Sequence, residues 1–316
     1  MKFAFKLIVS VSVIVWIVYG MDLGSLRTVL TRVDVTTLVL ATAVIALLNI
    51  LISWRWGFVL RRLGADFKPL ERVANVFVGQ FFNQTLPSTI GGDAVRIWML
   101  RRAGMSLRPA ANSVLIDRVM GLGTLILFAL AGLPWLAELD PSNNAPIAVS
   151  VIAVIGLLGL TSLALLDKLP AAITRMRLVA AVTTFSLDMR TSVFHATTGL
   201  VILGCSVTVH AILAAAVWMI AVRVGVDISL GACIILVPLV MVVSAVPISV
   251  AGWGLREGAM VAAFGLVGVP DEQSFAVSLL FGLCMVLAGL PGGALWLRRR
   301  RQLHLGQPSE AKQNPT

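Results

Sequence analysis

In this largely apolar chain of 316 residues, two short stretches within apolar segments combine charged with helix-breaking residues. The first stretch, residues 83–98, reads NQTLPSTIGGDAVRIW, and the second, residues 246–257, reads VPISVAGWGLRE. Each contains a proline, two glycines and an arginine that lies close to an acidic residue. Such a combination is expensive within a membrane and points to a functional site.

The chemistry that these residues suit is anion binding. If one half-helix begins at Asp93 and another near Gly254, their first N–H groups are free and carry the positive end of the helix dipole. Arg96 and Arg256 follow about one turn later and add formal positive charge. This arrangement predicts a site for a phosphate or a carboxylate.

The acidic residues beside these arginines have more than one possible role. Asp93 and Glu257 can temper the positive charge, or they can act as proton- or ion-coupling groups. Asp93 can equally cap its helix and form a structural ion pair with Arg96 or Arg118. The residues alone leave these alternatives open.

Two more charged residues, Asp117 and Arg118, lie near the start of a predicted span. As sequence neighbours they point to different faces of a helix, so we expect each to have another partner. His210 stands alone in an apolar span and is predicted to be packed and hydrogen-bonded rather than a proton relay. The residues expected to contact a ligand are Asn83, Pro87, Gly91, Gly92, Asp93, Arg96, Asp117, Arg118, Gly252, Gly254, Arg256 and Glu257.

The glycines in this set are expected to let the backbone turn sharply and approach a ligand closely. No catalytic or nucleotide-binding motif accompanies them: HExxH, GxSxG, Walker A and the Rossmann glycine pattern are absent from the sequence. The three cysteines have no CxxC or Cys/His spacing and are interpreted as packing residues. We therefore predict neither enzyme activity, nor a cofactor, nor a metal site.

Composition identifies the elements that must hold these residues. Hydrophobic residues make up 58% of the chain, charged residues 13%, and the mean hydropathy is +0.95. These values predict a helical integral membrane protein. The net charge of +10 reflects basic residues between apolar runs, without an aromatic-basic stripe, so membrane topology explains it better than nucleic-acid binding.

The predicted fold class is an all-α polytopic membrane protein with about eight membrane segments. Six of them are full spans, of which the first is interpreted as uncleaved. Two more apolar segments, 73–102 and 229–268, are broken near the middle by proline and glycine. The six full spans are predicted at about 4–20, 35–54, 109–133, 146–166, 197–222 and 271–297.

The distribution of Lys and Arg predicts the path of the broken segments. The linkers at 55–72, 101–108 and 167–177, together with both termini, are basic and belong on the cytoplasmic side. Segment 73–102 therefore enters and leaves on the same side, and its two arms are too short to cross. A re-entrant hairpin is therefore predicted for segment 73–102. Segment 229–268 is predicted to form a second re-entrant hairpin that enters from the opposite face of the membrane, and two tilted, broken spans are the alternative for it. Irregular backbone at that depth must line a cavity.

An internal repeat relates the two stretches. Without a gap, LPSTIGGDAVR aligns with VPISVAGWGLR, so that Pro87, Gly92 and Arg96 match Pro247, Gly252 and Arg256. The same offset superposes the flanking spans, which predicts an inverted repeat like that of many secondary transporters. Repeat A covers about 35–133 and repeat B about 195–297, within one transmembrane domain of residues 1–300 that is followed by a cytoplasmic tail, 301–316.

Three segments carry a resemblance to a known family: FFNQTLPSTIGGDAVRIWMLRRAG, SVLIDRVMGL and VPISVAGWGLREGAMVAAFGLVGV. They resemble the transmembrane domain of the lysylphosphatidylglycerol synthase family, which comprises flippase-like membrane proteins. The family usually has Glu at the positions of Asp93 and Asp117, and both differences keep the charge. Its Gly-x-Gly-x-Arg-Glu pattern is matched at residues 252–257, whereas its usual Pro-Gly-Gly is replaced by PISVAG.

The resemblance implies movement of a lipid between leaflets. Aminoacylated phosphatidylglycerol is the known cargo in one branch, and roles with isoprenoid or hopanoid lipids are proposed in others. Lipid aminoacylation is not implied, because it needs a soluble domain that this sequence does not show. We expect a bacterial inner-membrane protein with both termini cytoplasmic.

Two hypotheses follow. The first is a transporter or flippase for an anionic phospholipid or isoprenoid-type lipid. The alternative is a non-transporting scaffold or accessory subunit of an envelope lipid or glycan biosynthesis system. Membrane lipids are the expected partners, a homo-oligomer or an envelope-biosynthesis partner is possible, and nucleic acid is not expected.

Overall fold

The computed structural model describes residues 2–86, 90–139, 144–168, 177–193 and 195–305. These residues form α-helices and one short 3-10 turn, Leu166–Lys168, and they contain no strand. The helices are α1 Lys2–Tyr19, α2 Leu23–Thr31, α3 Val35–Arg62, α4 Pro69–Thr85, α5 Gly91–Arg102, α6 Leu107–Leu139, α7 Ala145–Leu165, α8 Arg177–Val193, α9 Ala196–Arg223, α10 Leu230–Ser244, α11 Leu255–Gly265 and α12 Asp271–Leu305.

Five of the described helices are long and apolar enough to cross a membrane: α3, α6, α7 with the 3-10 turn that follows it, α9 and α12. The predicted first span corresponds to α1, which together with α2 forms a sixth candidate span that is bent by 103° between the two helices. The predicted all-α multi-pass membrane fold is confirmed. The exact number of spans and the inverted orientation of the halves remain predictions.

Helix α3 is longer than the span predicted at 35–54. Its start is capped by Asp34, whose hydrogen bonds with the side chain and backbone of Thr37 hold the pKa of that carboxyl below its ordinary value. It ends where Gly64 adopts a positive φ of 76° and the Ala65 N–H bonds back to the Leu60 carbonyl, a Schellman-type stop. Arg55 therefore lies inside a helix, and its assignment to a cytoplasmic linker was wrong.

The first broken segment consists of α4 and α5, which pack against each other. At 1.5 Å per residue they are about 26 Å and about 18 Å long, so α5 is shorter than a hydrocarbon core of about 30 Å. A side chain at Gly92 would collide with the carbonyl of Gly79 on α4. Gly92 thus permits close approach of two helices.

The second broken segment consists of α10, an irregular stretch over residues 245–254, and α11. Three residues of this stretch have positive φ: Ala251 at 50°, Gly252 at 83° and Gly254 at 86°. The sharp turn predicted from the glycines occurs here. Gly91 and Gly92, in contrast, belong to the first turn of α5 and have no positive φ.

The two halves show the same order of helix lengths. α3 to α6 run long, short, short, long, and α9 to α12 repeat that order; α3 and α9 each have 28 residues. One buried apolar cluster is centred on α9, α10 and α12, and another on α3, α6 and α8. Most of the buried ionisable residues lie in α3 and α6 and in the broken segments, namely Arg55, Arg72, Asp93, Arg96, Asp117, Arg256 and Glu257.

Candidate functional site

Both broken segments contribute to one cavity of about 300 Å³. Its walls come from α3, α4, α5, α6, α9, α10, the 245–254 stretch, α11 and α12. The polar residues that line it are Asn49, Arg55, Gln80, Asn83, Gln84, Asp93, Arg96, Asp117, Arg118, His210, Ser244 and Arg256.

The structure brings most of the predicted ligand-contacting residues to this cavity. Those that line it are Asn83, Asp93, Arg96, Asp117, Arg118, Gly252 and Arg256. Gly91, Gly92, Gly254 and Glu257 support it from behind without lining it. Pro87 lies outside the described residues.

Asp117 is the centre of a buried ion-pair network. Its Oδ1 accepts hydrogen bonds from Arg55 Nη2 at 2.6 Å and Nε at 3.0 Å, and its Oδ2 accepts two from Arg96 at 3.2 Å. Arg55 Nη1 also donates to Ser206 Oγ at 2.8 Å. One carboxylate on α6 thus links arginines of α3 and α5, and Arg55 extends the network to α9.

A second ion pair lies at the same side of the cavity. Arg118 Nε is 2.7 Å from Asp93 Oδ2, while Arg96 is 3.9 Å from the other carboxylate oxygen. The Arg118 side chain is 37% exposed, in contrast with 7% for Arg96. The structural ion pair considered for Asp93 is present, and it holds the most accessible arginine of this network against the cavity wall.

Aromatic and glycine contacts fix the position of Arg96. Its guanidinium carbon lies 4.3 Å from the centroid of the Trp56 ring, a cation–π geometry. A side chain at Gly79 would approach Arg96 Cδ to 2.7 Å, so the glycine leaves room for this arginine. The Arg96 Nε has no hydrogen-bond partner among the described residues.

We call residues 90–96 of the first broken segment the first tip and residues 246–257 of the second broken segment the second tip. At the second tip the charge is neutralised locally. Glu257 Oε1 accepts from Arg256 Nη2 at 2.7 Å and Nε at 3.0 Å, and from Ser278 Oγ at 3.2 Å. The other oxygen of Glu257 accepts the N–H of Gly254, so this carboxylate also caps its own helix. Arg256 and Glu257 are 2% and 0% exposed.

The predicted source of the positive potential needs correction. Helix α5 begins at Gly91 rather than at Asp93, and the Gly92 N–H donates to Asn83 Oδ1 at 2.9 Å. The start of α11 is capped by Glu257. One N–H at each helix start already has a side-chain acceptor, so fewer of these donors are free than predicted, and the arginine side chains supply the formal positive charge of the cavity.

Sequence reasoning missed Arg55 and underrated Asn49 and His210. Arg55 is followed by WGFVL, an apolar run that continues the helix, and this continuity was the signal that could have placed it within the span. Asn49 and His210 are the fifteenth residues of α3 and α9, and each has one buried nitrogen without a partner among the described residues. His210 Nε2 contacts the Gly121 carbonyl at 3.2 Å, as expected for a hydrogen-bonded histidine.

The cavity and its immediate support hold four arginines and three carboxylates: Arg55, Arg96, Arg118, Arg256, Asp93, Asp117 and Glu257. The set carries one formal positive charge in excess. Within the described residues, no group of three or more His, Cys, Asp or Glu could hold a metal ion. The three cysteines are buried and free.

Comparison with known proteins identifies the family. A family model described as the lysylphosphatidylglycerol synthase TM region matches residues 3–293. No curated protein matches the chain. The chain belongs to the lysylphosphatidylglycerol synthase TM-region family.

Proposed function

We propose that this member of the family moves an anionic lipid between the two leaflets of a bacterial inner membrane. The cavity holds the anionic head group while the acyl or isoprenoid tails stay in the surrounding lipid. The observation that carries the proposal is the excess of arginines over carboxylates in a cavity formed by both broken segments. A bound phosphate or carboxylate would neutralise that excess.

Buried charge favours an anionic ligand over a neutral one. An isolated cation in a low-dielectric interior costs several kcal/mol, and an opposite charge in contact recovers much of it. Arg118 is the arginine that can exchange its partner most easily, because its side chain is 37% exposed. We therefore assign it the first contact with the head group.

Neutral polar groups complete the proposed binding site. Asn49 Nδ2, His210 Nδ1 and Gln84 Oε1 are buried and have no partner in the part of the chain that the structure describes. All three residues line the cavity. Such groups cost free energy unless they are hydrogen-bonded. Asn49 Nδ2 needs an acceptor, whereas Gln84 Oε1 needs a donor, as does His210 Nδ1 when Nε2–H donates to the Gly121 carbonyl. A glycerophosphate, with phosphate oxygens and hydroxyl groups, would supply both.

The outer helices provide a surface for the tails. Large apolar side chains on α1 and α7 face outward, among them Trp16 at 78% and Ile155 at 64% exposure. We propose no enzymatic activity and no cofactor for this chain, so movement is passive or coupled to an ion. We place both termini in the cytoplasm from the distribution of basic residues.

A second candidate function rests on the completeness of the ion pairs. Each carboxylate at the two tips is already paired with an arginine. A scaffold or accessory subunit of an envelope lipid or glycan system needs only such structural pairs and no ligand.

Reconstitution separates the two functions. Purified protein is placed in liposomes with tail-labelled phosphatidylglycerol or phosphatidylcholine, and label in the outer leaflet is quenched chemically to measure exchange. A transporter of anionic lipid accelerates exchange of phosphatidylglycerol more than that of phosphatidylcholine. If both rates equal those of protein-free vesicles, the transport proposal is wrong and the accessory function stands.

A further inference from the structure

A second polar pocket lies beside the central cavity. Its volume is about 150 Å³, and residues of α3, α4, α5 and α12 line it together with Phe67. Its polar residues are Trp56, Glu71, Arg72, Asn75 and Arg299. None of these five residues was predicted to contact a ligand.

Arg72 is the most unusual residue of this pocket. It is only 6% exposed, its Nε has no hydrogen-bond partner, and no carboxylate of the described ranges lies within ion-pair distance of its guanidinium. The neighbouring Glu71 is exposed and its carboxylate accepts the N–H of Lys68, at the start of α4. Asp66 acts on this guanidinium only from beyond ion-pair distance. A buried guanidinium with no carboxylate in contact is costly, so an anion in the pocket would stabilise it.

Two more buried polar atoms lack partners at the same place. Trp56 is fully buried and its Nε1 has no acceptor, and Asn75, 5% exposed, has an unpartnered Oδ1. Asn75 follows Arg72 by three residues on α4, so both project from one face of the helix. Arg299 on α12 adds a second positive charge to the lining.

The fold leaves space for the Arg72 guanidinium. A side chain at Gly57 on α3 would collide with Nη1, Cζ and Nε of Arg72. The guanidinium therefore lies directly on the α3 backbone, next to Trp56. Gly79 makes equivalent room for Arg96 at the central cavity, where the Trp56 ring stacks against Arg96. Trp56 thus lines the second pocket and contacts Arg96, which lines the central cavity.

The pocket lies at the basic ends of its helices. Arg61 and Arg62 end α3, Arg101 and Arg102 end α5, and Arg299 belongs to the basic run of α12. Basic ends of this kind are predicted to meet the cytoplasmic membrane interface, where the phosphates of anionic lipids lie. The chemistry of the lining and its place in the fold therefore agree.

We infer that this pocket binds a phosphate group, held by Arg72 and Arg299 with the Trp56 N–H as a further donor, and that the phosphate belongs to an anionic phospholipid or to free phosphate. The oxyanion takes two charge-assisted contacts from the arginines and one neutral hydrogen bond. Asn75 donates a hydrogen bond through its side-chain NH2 group, which requires the amide to be turned so that Nδ2 rather than Oδ1 faces the phosphate. The site does not depend on lipid transport by the central cavity.

Binding measurements with matched variants test this site. In native mass spectrometry of detergent-purified protein, the wild type is expected to retain bound phosphatidylglycerol more tightly than phosphatidylcholine. Arg72→Gln removes the charge, and Gly57→Ala keeps the charge but displaces the guanidinium. Each should weaken the tightest phosphatidylglycerol binding about tenfold, the effect of losing one charge-assisted contact. Arg27→Gln, an exposed arginine of α2 that does not line the pocket, serves as the control and should bind like the wild type.

A parallel thermal-stability series distinguishes the two sources of phosphate. If inorganic phosphate at constant ionic strength stabilises the wild type but not Arg72→Gln, free phosphate is a ligand; if only phosphatidylglycerol does so, the ligand is a lipid. Arg299→Gln, at the half-exposed rim, replaces Arg72→Gln should that variant not fold. The inference is overturned if the substituted proteins that fold bind both phosphate sources as the wild type does.

Discussion

The two tips carry aligned arginines, but the structure neutralises them in different ways. Arg256 is paired with Glu257, the next residue in the chain, within one helix. Arg96 shares Asp117 with Arg55, so its counter-charge comes from α6 and is divided between two arginines. The second tip is electrostatically self-contained, whereas the first depends on neighbouring helices.

This difference indicates where a ligand can act. A tip whose arginine already has its own carboxylate gains little from an anion. A tip whose arginines share carboxylates gains more, and it also contacts Arg118, which is partly exposed. We therefore assign head-group binding mainly to the first tip, and we assign to the second tip the role of a rigid support.

The largest expected effect is that of Glu257→Gln at the second tip. The change leaves Arg256 buried without a counter-charge and weakens the cap of α11. Removing one member of a buried pair costs about 3–5 kcal/mol, so thermal unfolding in detergent should occur at a clearly lower temperature. Added phosphatidylglycerol should not restore the loss. If Glu257→Gln is as stable as the wild type, Arg256 does not depend on Glu257 for its counter-charge, and the account of the second tip is wrong.

At the first tip, Asp117→Asn should also destabilise the protein, by about 3 kcal/mol, the lower end of the range for a broken buried pair, because Arg96 keeps Asp93 within 3.9 Å; here the loss should depend on lipid. Arg55 and Arg96 lose their shared carboxylate. An anionic head group in the cavity can replace it, so phosphatidylglycerol should raise the unfolding temperature of this variant more than that of Glu257→Gln. Equal responses of the two variants to the lipid would remove the distinction between the tips.

A matched glycine pair sharpens the same comparison. Gly79→Ala crowds Arg96, and Gly282→Ala crowds Arg256. Because Arg256 is held by Glu257 and lies near the Trp253 and Phe281 rings, it has less freedom to move aside. Overpacking costs about 1–3 kcal/mol, and we expect Gly282→Ala near the upper value and Gly79→Ala near the lower. Chemical or thermal unfolding of both variants measures the difference, and the reverse order would argue against a rigid second tip.

The smallest expected effect is a gain in stability. Ala251 has a φ of 50°, a conformation that glycine adopts without strain. Ala251→Gly should therefore leave the protein equally stable or stabilise it by up to about 1 kcal/mol. The same test does not apply to Gly91, which is aligned with Ala251 in the repeat but lies in helix α5. A marked loss of stability in Ala251→Gly would show that the methyl group packs usefully.

Sequence patterns predicted the membrane class and the family, and they predicted that both broken segments line a cavity. These features depend on hydropathy, charge spacing and local motifs. They did not predict the role of Arg55, since a basic residue at the end of an apolar run resembles a topology signal. They also did not predict how charges pair. Whether Asp93 meets Arg96 or Arg118, and how Asp117 is divided between Arg55 and Arg96, depends on helix packing.

The glycines illustrate the same limit. Gly252 and Gly254 form a turn as expected from their intrinsic freedom. Gly92 serves instead to bring α5 against the carbonyl of Gly79, and only the packed structure distinguishes the two uses.

The exchange rate of phosphatidylglycerol in liposomes that contain Arg118→Gln tests the central claim most directly. The matched control is Arg101→Gln, an exposed arginine at the end of α5. Loss of one charge-assisted contact to the head group predicts exchange about tenfold slower than in the control. Both variants are compared at a temperature at which they are folded, because Arg118→Gln also removes the closest ion-pair partner of Asp93 and so lowers stability. Equal exchange rates in the two variants, both well above that of protein-free vesicles, would contradict the assignment of head-group binding to the first tip.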